Sequence, residues 1–113
     1  MLGVAVLKIL FDNVYKYVIS LFMTIIWDKH KAEKLLRDRN ISIEAIADLL
    51  MRNEILEILE NPKHPDQMIF IISYKKYTHA VPFIIDAEGR IVLKTVYSSR
   101  KHHKHFGGKS HES

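Results

Sequence analysis

Residues 68–85 read MIFIISYKKYTHAVPFII, and this stretch decides the fold. The continuous apolar run Met68–Ile72 is typical of a strand that is covered on both faces. The pair Lys75-Lys76 predicts a tight hairpin turn, although it lacks the usual Gly or Asn, and His79–Ile85 is the next strand. Pro82 cannot donate a backbone N–H to a neighbouring strand, so it is predicted to lie at an edge or a bulge.

The chain after this hairpin predicts one more strand and a short helix. Residues 86–89 form a four-residue hairpin loop, and Gly89 can adopt a positive φ there. Arg90–Tyr97 is the last predicted strand, and a helix is expected from about Ser99 to Phe106. The Gly107-Gly108 pair is predicted to end that helix and to precede a disordered tail, so that residues 107–113 lie outside the domain.

The chain before the hairpin predicts a strand, two helices and a second strand. Ile25–Trp27 is the first strand, and the Asp28 carboxylate caps a helix that runs to about Asp38. Ser42 caps the next helix, whose apolar residues follow the spacing of one helical face. Ile55–Leu59 fits a strand or a continuation of that helix, and Asn53 favours the strand.

These elements together predict an α+β fold. Its helices, two or three of them N-terminal and a short one at the C-terminal end, should pack on one face of a mostly antiparallel four-stranded sheet. The length of 113 residues predicts a single domain. The chain has no cysteine, which excludes disulfides, cysteine-zinc sites and thiol catalysis and fits a cytoplasmic location.

Residues 1–22 are predicted to be an N-terminal helical extension. Lys8, Asp12, Lys16 and Ser20 recur every four residues, which gives one polar stripe on an otherwise apolar helix. Charges inside the apolar stretch disfavour a transmembrane span and a signal peptide. The helix could pack on the domain or on a second copy, lie at a membrane surface, or be an upstream extension before a natural start at Met23. The domain proper is therefore predicted over residues 23–106.

Positive charge is concentrated at the C-terminal end of the chain. From residue 90 onward there are six Lys or Arg and one acid, a net charge of +5, whereas the whole chain carries +4. Residues 100–105 read RKHHKH. A local positive surface usually faces phosphate or an acidic partner. The adjacent histidines lack the spacing of a structural zinc site, so no metal and no cofactor is expected.

Three short motifs of this sequence match the pattern of one known family. They are Trp27-Asp28 followed by Lys31, Leu35 and residues 41–45 (ISIEA); residues 65–70 (PDQMIF); and residues 97–101 (YSSRK). Together they resemble BrnT-type toxins, small ribonucleases of the RelE-like superfamily that are encoded beside a ribbon-helix-helix antitoxin. The resemblance covers roughly residues 23–106. The chain departs from the family pattern after Arg100, where Lys101-His102 stands, and at Asp86 and Glu88, where the family tends to carry arginine.

The resemblance implies a RelE-like fold and metal-independent cleavage of RNA. Such cleavage needs a base, cations for the phosphorane and an acid. Arg100 is the candidate for the scissile phosphate, with Lys94 as a second charge. His79 and His102 are the candidates for proton transfer. The candidate RNA-binding residues are Arg90, Tyr97, Lys101, Lys104 and His105.

Other interpretations stay open for these residues and for the chain. Taken without the resemblance, Lys94 and Arg90 fit solvated sheet residues, and His79 fits a half-buried structural histidine. The expected partners are RNA and a small ribbon-helix-helix antitoxin, and association of two copies is left open. The alternative function is a non-catalytic basic module that docks nucleic acid or an acidic protein.

Overall fold

The computed structural model describes residues 24–110, which form three helices and six strands. In chain order these are β1 (Ile25–Trp27), α1 (Lys29–Arg39), α2 (Ile43–Met51), β2 (Glu57–Glu60), β3 (Met68–Tyr74), β4 (Tyr77–Ile85), β5 (Ile91–Leu93), β6 (Tyr97–Ser98) and α3 (Arg100–Ser110). The α+β class is confirmed. Residues 1–23, which include the predicted N-terminal extension, and residues 111–113 lie outside the described part. The predicted division of the chain into three segments therefore stays a prediction.

The starts of α1 and α2 are the ones that the sequence predicts. The Asp28 carboxylate accepts a hydrogen bond from the Lys31 N–H at 2.9 Å, and the Ser42 hydroxyl accepts one from the Ala45 N–H at 3.2 Å. Each side chain thereby satisfies a backbone donor that has no partner inside its helix. Asn40 ends α1 in the left-handed conformation with φ 55°, which asparagine tolerates better than most residues.

The sheet is mostly antiparallel, as predicted, but it has six strands instead of four. Its order is β1-β5-β4-β3-β2, and β6 also pairs with β4. All pairs are antiparallel except β1 with β5, which run parallel. A parallel pair needs a long crossover, and the chain supplies one, because both helices and the central hairpin lie between β1 and β5 in the sequence. Order along the chain alone did not reveal this pairing.

The predicted last strand is broken into β5 and β6 by a bulge opposite Pro82. Phe83 pairs with Leu93 and Ala80 pairs with Tyr97, so two residues of β4 face three residues of the other strand. Of the two positions predicted for Pro82, an edge or a bulge, the structure shows the bulge. At this point the Lys94 N–H donates to the Pro82 carbonyl oxygen at 2.8 Å. Proline has no backbone N–H to donate in return, and a bulge tolerates the loss of that hydrogen bond.

The sheet is covered on both faces, as the apolar run in β3 predicts. Met68, Phe70 and Ile72 belong to the main core together with residues of α1 and α2. Ile69 and Ile71 point the other way and form a second core with Ala80 and Phe106. The second core brings α3 onto the face opposite α1 and α2. The prediction that the helices share one face is therefore wrong, because it did not assign a cover to the second apolar face of β3.

α3 continues through the glycine pair that was predicted to end it. The helix spans Arg100–Ser110, so the predicted end at Gly107-Gly108 is wrong. Glycine costs a helix only about 1 kcal/mol relative to alanine, and burial of Phe106 in the second core offsets that cost. None of the helices within residues 24–110 is long and apolar enough to cross a membrane.

Candidate functional site

His79 lies on β4 with only 7% of its surface exposed. Its Nδ1 is 2.9 Å from the carbonyl oxygen of Tyr77. A carbonyl oxygen only accepts, so Nδ1 carries the hydrogen and Nε2 holds the lone pair of the neutral ring. Burial lowers the pKa of His79 below its ordinary value; the bond to the Tyr77 carbonyl opposes this effect, and the charge of Lys75 adds to it. A neutral imidazole with an available Nε2 is suited to act as a base.

A concave surface surrounds His79, and we name it the His79 hollow. It consists of two depressions of about 320 and 510 Å³ that share four lining residues, which are Tyr74, Lys75, His79 and Ser98. The first depression is also lined by Arg39, Asn40, Ile41 and Tyr97, and the second by Tyr77 and Arg100. The hollow therefore joins the end of α1, the β3–β4 hairpin and the junction between β6 and α3.

Strand pairing explains why residues distant in sequence meet here. His79 pairs directly with Ser98 of β6. The Ser99 N–H then donates to the Thr78 carbonyl oxygen at 3.0 Å, which holds the β6–α3 junction beside β4. Arg100 is the first residue of α3, so it follows directly after this anchored junction. The sequence places Arg100 twenty-one residues after His79, and the sheet brings both to one surface.

The arginines fall into two groups, those with a carboxylate partner and those without one among residues 24–110. Three of the five arginines in the chain lie within ion-pair distance of carboxylates: Arg37 with Asp38, Arg52 with Asp48 and Glu54, and Arg90 with Asp86 and Glu88. Arg39 and Arg100 have no such carboxylate within residues 24–110, and both line the His79 hollow. An arginine that is not neutralised by a carboxylate keeps its charge available to an anionic ligand.

Lys75 adds a third cation to the hollow. Its Nζ donates to the Asn40 carbonyl oxygen at 2.8 Å and lies 5.4 Å from the centre of the Tyr74 ring. The backbone there is a two-residue turn between the paired Tyr74 and Tyr77, with φ of 53° at Lys75 and 64° at Lys76. Positive φ at both positions is the geometry of the predicted tight hairpin turn. Two lysines pay a conformational cost to hold it.

Three of the predicted site residues line the hollow, whereas Arg90 does not. Arg100, His79 and Tyr97 line it. Arg90 lies at the other end of β4, where its Nε donates to the Asp86 carboxylate at 2.7 Å. Ile85, the partner of Ile91, lies six positions after His79 on β4, a distance of roughly 20 Å along a strand. The roles of all these residues stay predictions.

Lys94 lines a different depression, which we name the Lys94 cavity. Its volume is about 320 Å³, and it is lined by Lys31, Lys34, Leu35, Asp38, Arg39, Lys94 and Thr95. Arg39 lines both this cavity and the His79 hollow. Arg39 also donates from Nη1 to the Val96 carbonyl oxygen at 3.4 Å, which ties the end of α1 to the bulge.

The remaining predicted residues lie along α3 and do not line the hollow. Lys101, Lys104 and His105 are exposed. His102 is half-buried: its Nδ1 is 2.7 Å from the Ser99 hydroxyl oxygen, and its ring stacks 6.5 Å from Phe106. Burial, followed by the charges of Lys101 and His105, lowers its pKa. A helix turns about 100° per residue, so consecutive cations are distributed around α3 instead of forming one patch.

Sequence reasoning missed two of the three cations in the hollow. Lys75 had a signal, because a hairpin turn without Gly or Asn carries strain that functional sites often retain. Arg39 had none, since its approach to His79 depends on how α1 packs against the bulge. Within the part of the chain that the structure describes, no group of three or more His, Asp or Glu side chains could hold a metal ion.

Comparisons with known proteins support the fold. No family model matches the chain, and no curated protein matches it by sequence. A solved structure, the Brucella abortus ribonuclease toxin BrnT, aligns with 68% of this chain and 96% of its own, with a TM-score of 0.52 and 22% identity. The fold is BrnT-like. At this identity the likeness concerns the backbone arrangement, and it supports the BrnT-like part of the predicted fold. In this chain the His79 hollow lies between the central hairpin and the start of the last helix.

Proposed function

We propose that this chain is a BrnT-like ribonuclease toxin that cleaves RNA without a metal and is neutralised by a small antitoxin. One observation carries the proposal: a neutral histidine lies in a hollow lined by the two arginines that have no carboxylate partner within residues 24–110. The BrnT-like fold supports it, because the solved structure of that fold is described as a ribonuclease toxin.

The residues of the hollow provide the groups that the reaction requires. His79 Nε2 takes the proton of a ribose 2′-hydroxyl, whose oxygen then bonds to the adjacent phosphorus. Arg39 and Arg100 stabilise the extra negative charge on the phosphorane oxygens. The bond from phosphorus to the 5′-oxygen breaks, and the Lys75 ammonium protonates that oxygen. The products are a 2′,3′-cyclic phosphate and a free 5′-hydroxyl.

The proposed partners, RNA and an antitoxin, bind the same surface. RNA enters the His79 hollow, where Tyr77 and Tyr97 can stack on bases. A ribbon-helix-helix antitoxin neutralises the toxin by covering the hollow, and both proteins act in the cytoplasm. An acidic surface on the antitoxin would compete with RNA phosphate for Arg39 and Arg100.

Incubation of the purified protein with single-stranded RNA in EDTA tests this function. The wild-type protein should release fragments, and His79→Ala should slow cleavage by about 10²–10⁴-fold, the usual contribution of a base. Arg100→Ala should slow cleavage by about 10²–10³-fold, the usual loss for one group that stabilises a transition-state oxyanion. Arg52→Ala is the matched control, because it removes an arginine that pairs with Asp48 and Glu54 and lies outside the hollow. It should cleave at nearly the wild-type rate.

Two outcomes would contradict the proposal. Unchanged cleavage in a folded Arg100→Ala protein would remove Arg100 from the site. RNA binding that weakens steeply with salt, without any cleavage, would favour the alternative of a non-catalytic basic module.

A further inference from the structure

The Lys94 cavity lies between one face of α1 and the bulge that follows β5. Lys31, Lys34, Leu35 and Asp38 occupy positions i, i+3, i+4 and i+7 of α1, which share one helical face. Lys94 and Thr95 form the opposite wall and are half-buried. Leu35 is 7% exposed and belongs to the main core. The cavity therefore lies between a helix face and the bulge, and six of its seven lining residues carry polar side chains.

The charge of this cavity is positive and not neutralised within the described residues. Four of its seven lining residues are cations, which are Lys31, Lys34, Arg39 and Lys94. The one acid, Asp38, lies 3.2 Å from the guanidinium of Arg37. No carboxylate of residues 24–110 lies within ion-pair distance of the three lysines. Several cations that line one concave surface attract an anion that can contact more than one of them.

Arg39 connects this cavity to the candidate active site, because its side chain lines both. A single RNA strand carries one phosphate per nucleotide, and proteins that bind such strands follow the backbone with a row of positive charge. Two adjoining depressions, each lined by unneutralised cations, match two phosphates of one strand.

We propose that the Lys94 cavity is a second phosphate-binding site, which holds a backbone phosphate of the same RNA strand whose scissile phosphate occupies the His79 hollow. This inference rests on the proposed function of the hollow. Lys34 and Lys94 contact the phosphate from opposite walls, and the Thr95 hydroxyl donates to it. Lys94 thereby positions the substrate and takes no part in the chemical step.

Binding of an RNA that cannot be cleaved tests the second site without reference to catalysis. The probe is a fluorescent 2′-O-methyl dodecanucleotide, which lacks the attacking hydroxyl, measured by anisotropy across a range of NaCl concentrations. The Lys34→Gln/Lys94→Gln variant should bind roughly tenfold more weakly at low salt, a loss of about 1.4 kcal/mol. The slope of log K against log salt should fall by about 0.7, the value for one phosphate contact on a single strand.

The matched control is Lys29→Gln/Lys63→Gln, which removes the same charge from residues that line neither depression. It should bind with nearly the wild-type affinity and slope. Circular dichroism checks that both variants fold. Equal losses in the two variants would overturn the second site, because the effect would then follow net charge alone.

Two further readouts separate this inference from the proposed function. In amide NMR spectra, the probe should shift the Thr95 signal of the wild-type protein, and an unshifted Thr95 would overturn the site. If unmodified RNA is cleaved, Lys34→Gln/Lys94→Gln should raise KM and leave kcat unchanged, whereas His79→Ala lowers kcat. A protein that binds the probe through Lys34 and Lys94 but cleaves no RNA would refute the catalytic role of His79 and retain the second site.

Discussion

His79 donates a hydrogen bond from Nδ1 to the carbonyl oxygen of Tyr77 at 2.9 Å. The bond links residues two apart on β4 and assigns the tautomer of the ring. Nε2 is then the nitrogen that can accept a proton from a substrate. Burial and the nearby charge of Lys75 lower the pKa of His79, which favours the neutral form of the ring that the proposed role as a base requires.

The pH dependence of RNA cleavage should reflect this neutral base. Because the pKa of His79 is lowered from 6.5, kcat/KM should rise with pH in the acidic range and reach its plateau below about pH 7.5. The measurement is the initial rate of cleavage of a short RNA between pH 4.5 and 8 at constant ionic strength. A half-maximal rate above pH 7 would show that another group acts as the base.

The same shift should make the stability of the fold depend on pH. A lowered pKa means that the unfolded chain binds more protons than the native protein, so the free energy of unfolding increases with pH in this range. The stabilisation is fully present above pH 6.5 and is lost as the pH falls through the native pKa of His79. Urea unfolding at several pH values measures it. His79→Gln is the comparison, because it cannot titrate and should show a flatter profile between pH 5 and 7.

Lys76→Gly should stabilise the protein without changing cleavage. Lys76 has φ 64° and lies outside the His79 hollow. Glycine adopts this conformation without the steric cost of about 1–2 kcal/mol, and its greater freedom in the unfolded chain takes back part of that gain. The expected increase in the free energy of unfolding is about 0.5–1 kcal/mol, measured by urea titration. Lys63→Gly is the control, because Lys63 does not have a positive φ; it should not stabilise.

Phe106→Ala should lower both stability and cleavage. Phe106 is 5% exposed and packs with Ile69, Ile71 and Ala80 in the second core. Loss of a buried phenylalanine costs about 3–5 kcal/mol, and here it loosens the helix that begins at Arg100. The measurements are urea unfolding and the cleavage rate in conditions where the variant is still folded. Full cleavage by a clearly destabilised variant would show that the position of Arg100 does not depend on the packing of Phe106.

Local signals in the sequence predicted most of the secondary structure. The caps at Asp28 and Ser42 are side chains that bond within three residues, so their effect needs no distant partner. The tight turn at Lys75-Lys76 followed from the two strands on either side. Pro82 predicted a bulge because its missing donor is a property of the residue itself. The glycine pair after Phe106 misled, since a propensity of about 1 kcal/mol is smaller than the packing of the helix.

The candidate site was only partly predictable. His79, Tyr97 and Arg100 were identified from their chemistry and from the resemblance, and the structure brings them to one surface. The sequence suggested that the cations of residues 100–105 form one patch. In the structure these residues lie in α3, which distributes them around the helix axis. Lys94 was grouped with Arg100, but the bulge opposite Pro82 separates them into two depressions.

The sequence by itself determined the helix starts, the central hairpin and the two-sided burial of β3, and it supplied His79 and Arg100 as candidate site residues. These depend on contacts within a few residues or on the chemistry of single side chains. Only the tertiary structure decided the parallel pairing of β1 with β5, the packing of α3 on the second face and the approach of Arg39 and Lys75 to His79. Each of these joins segments far apart in the chain, and which segments meet depends on the free energy of burying both faces of one sheet at once.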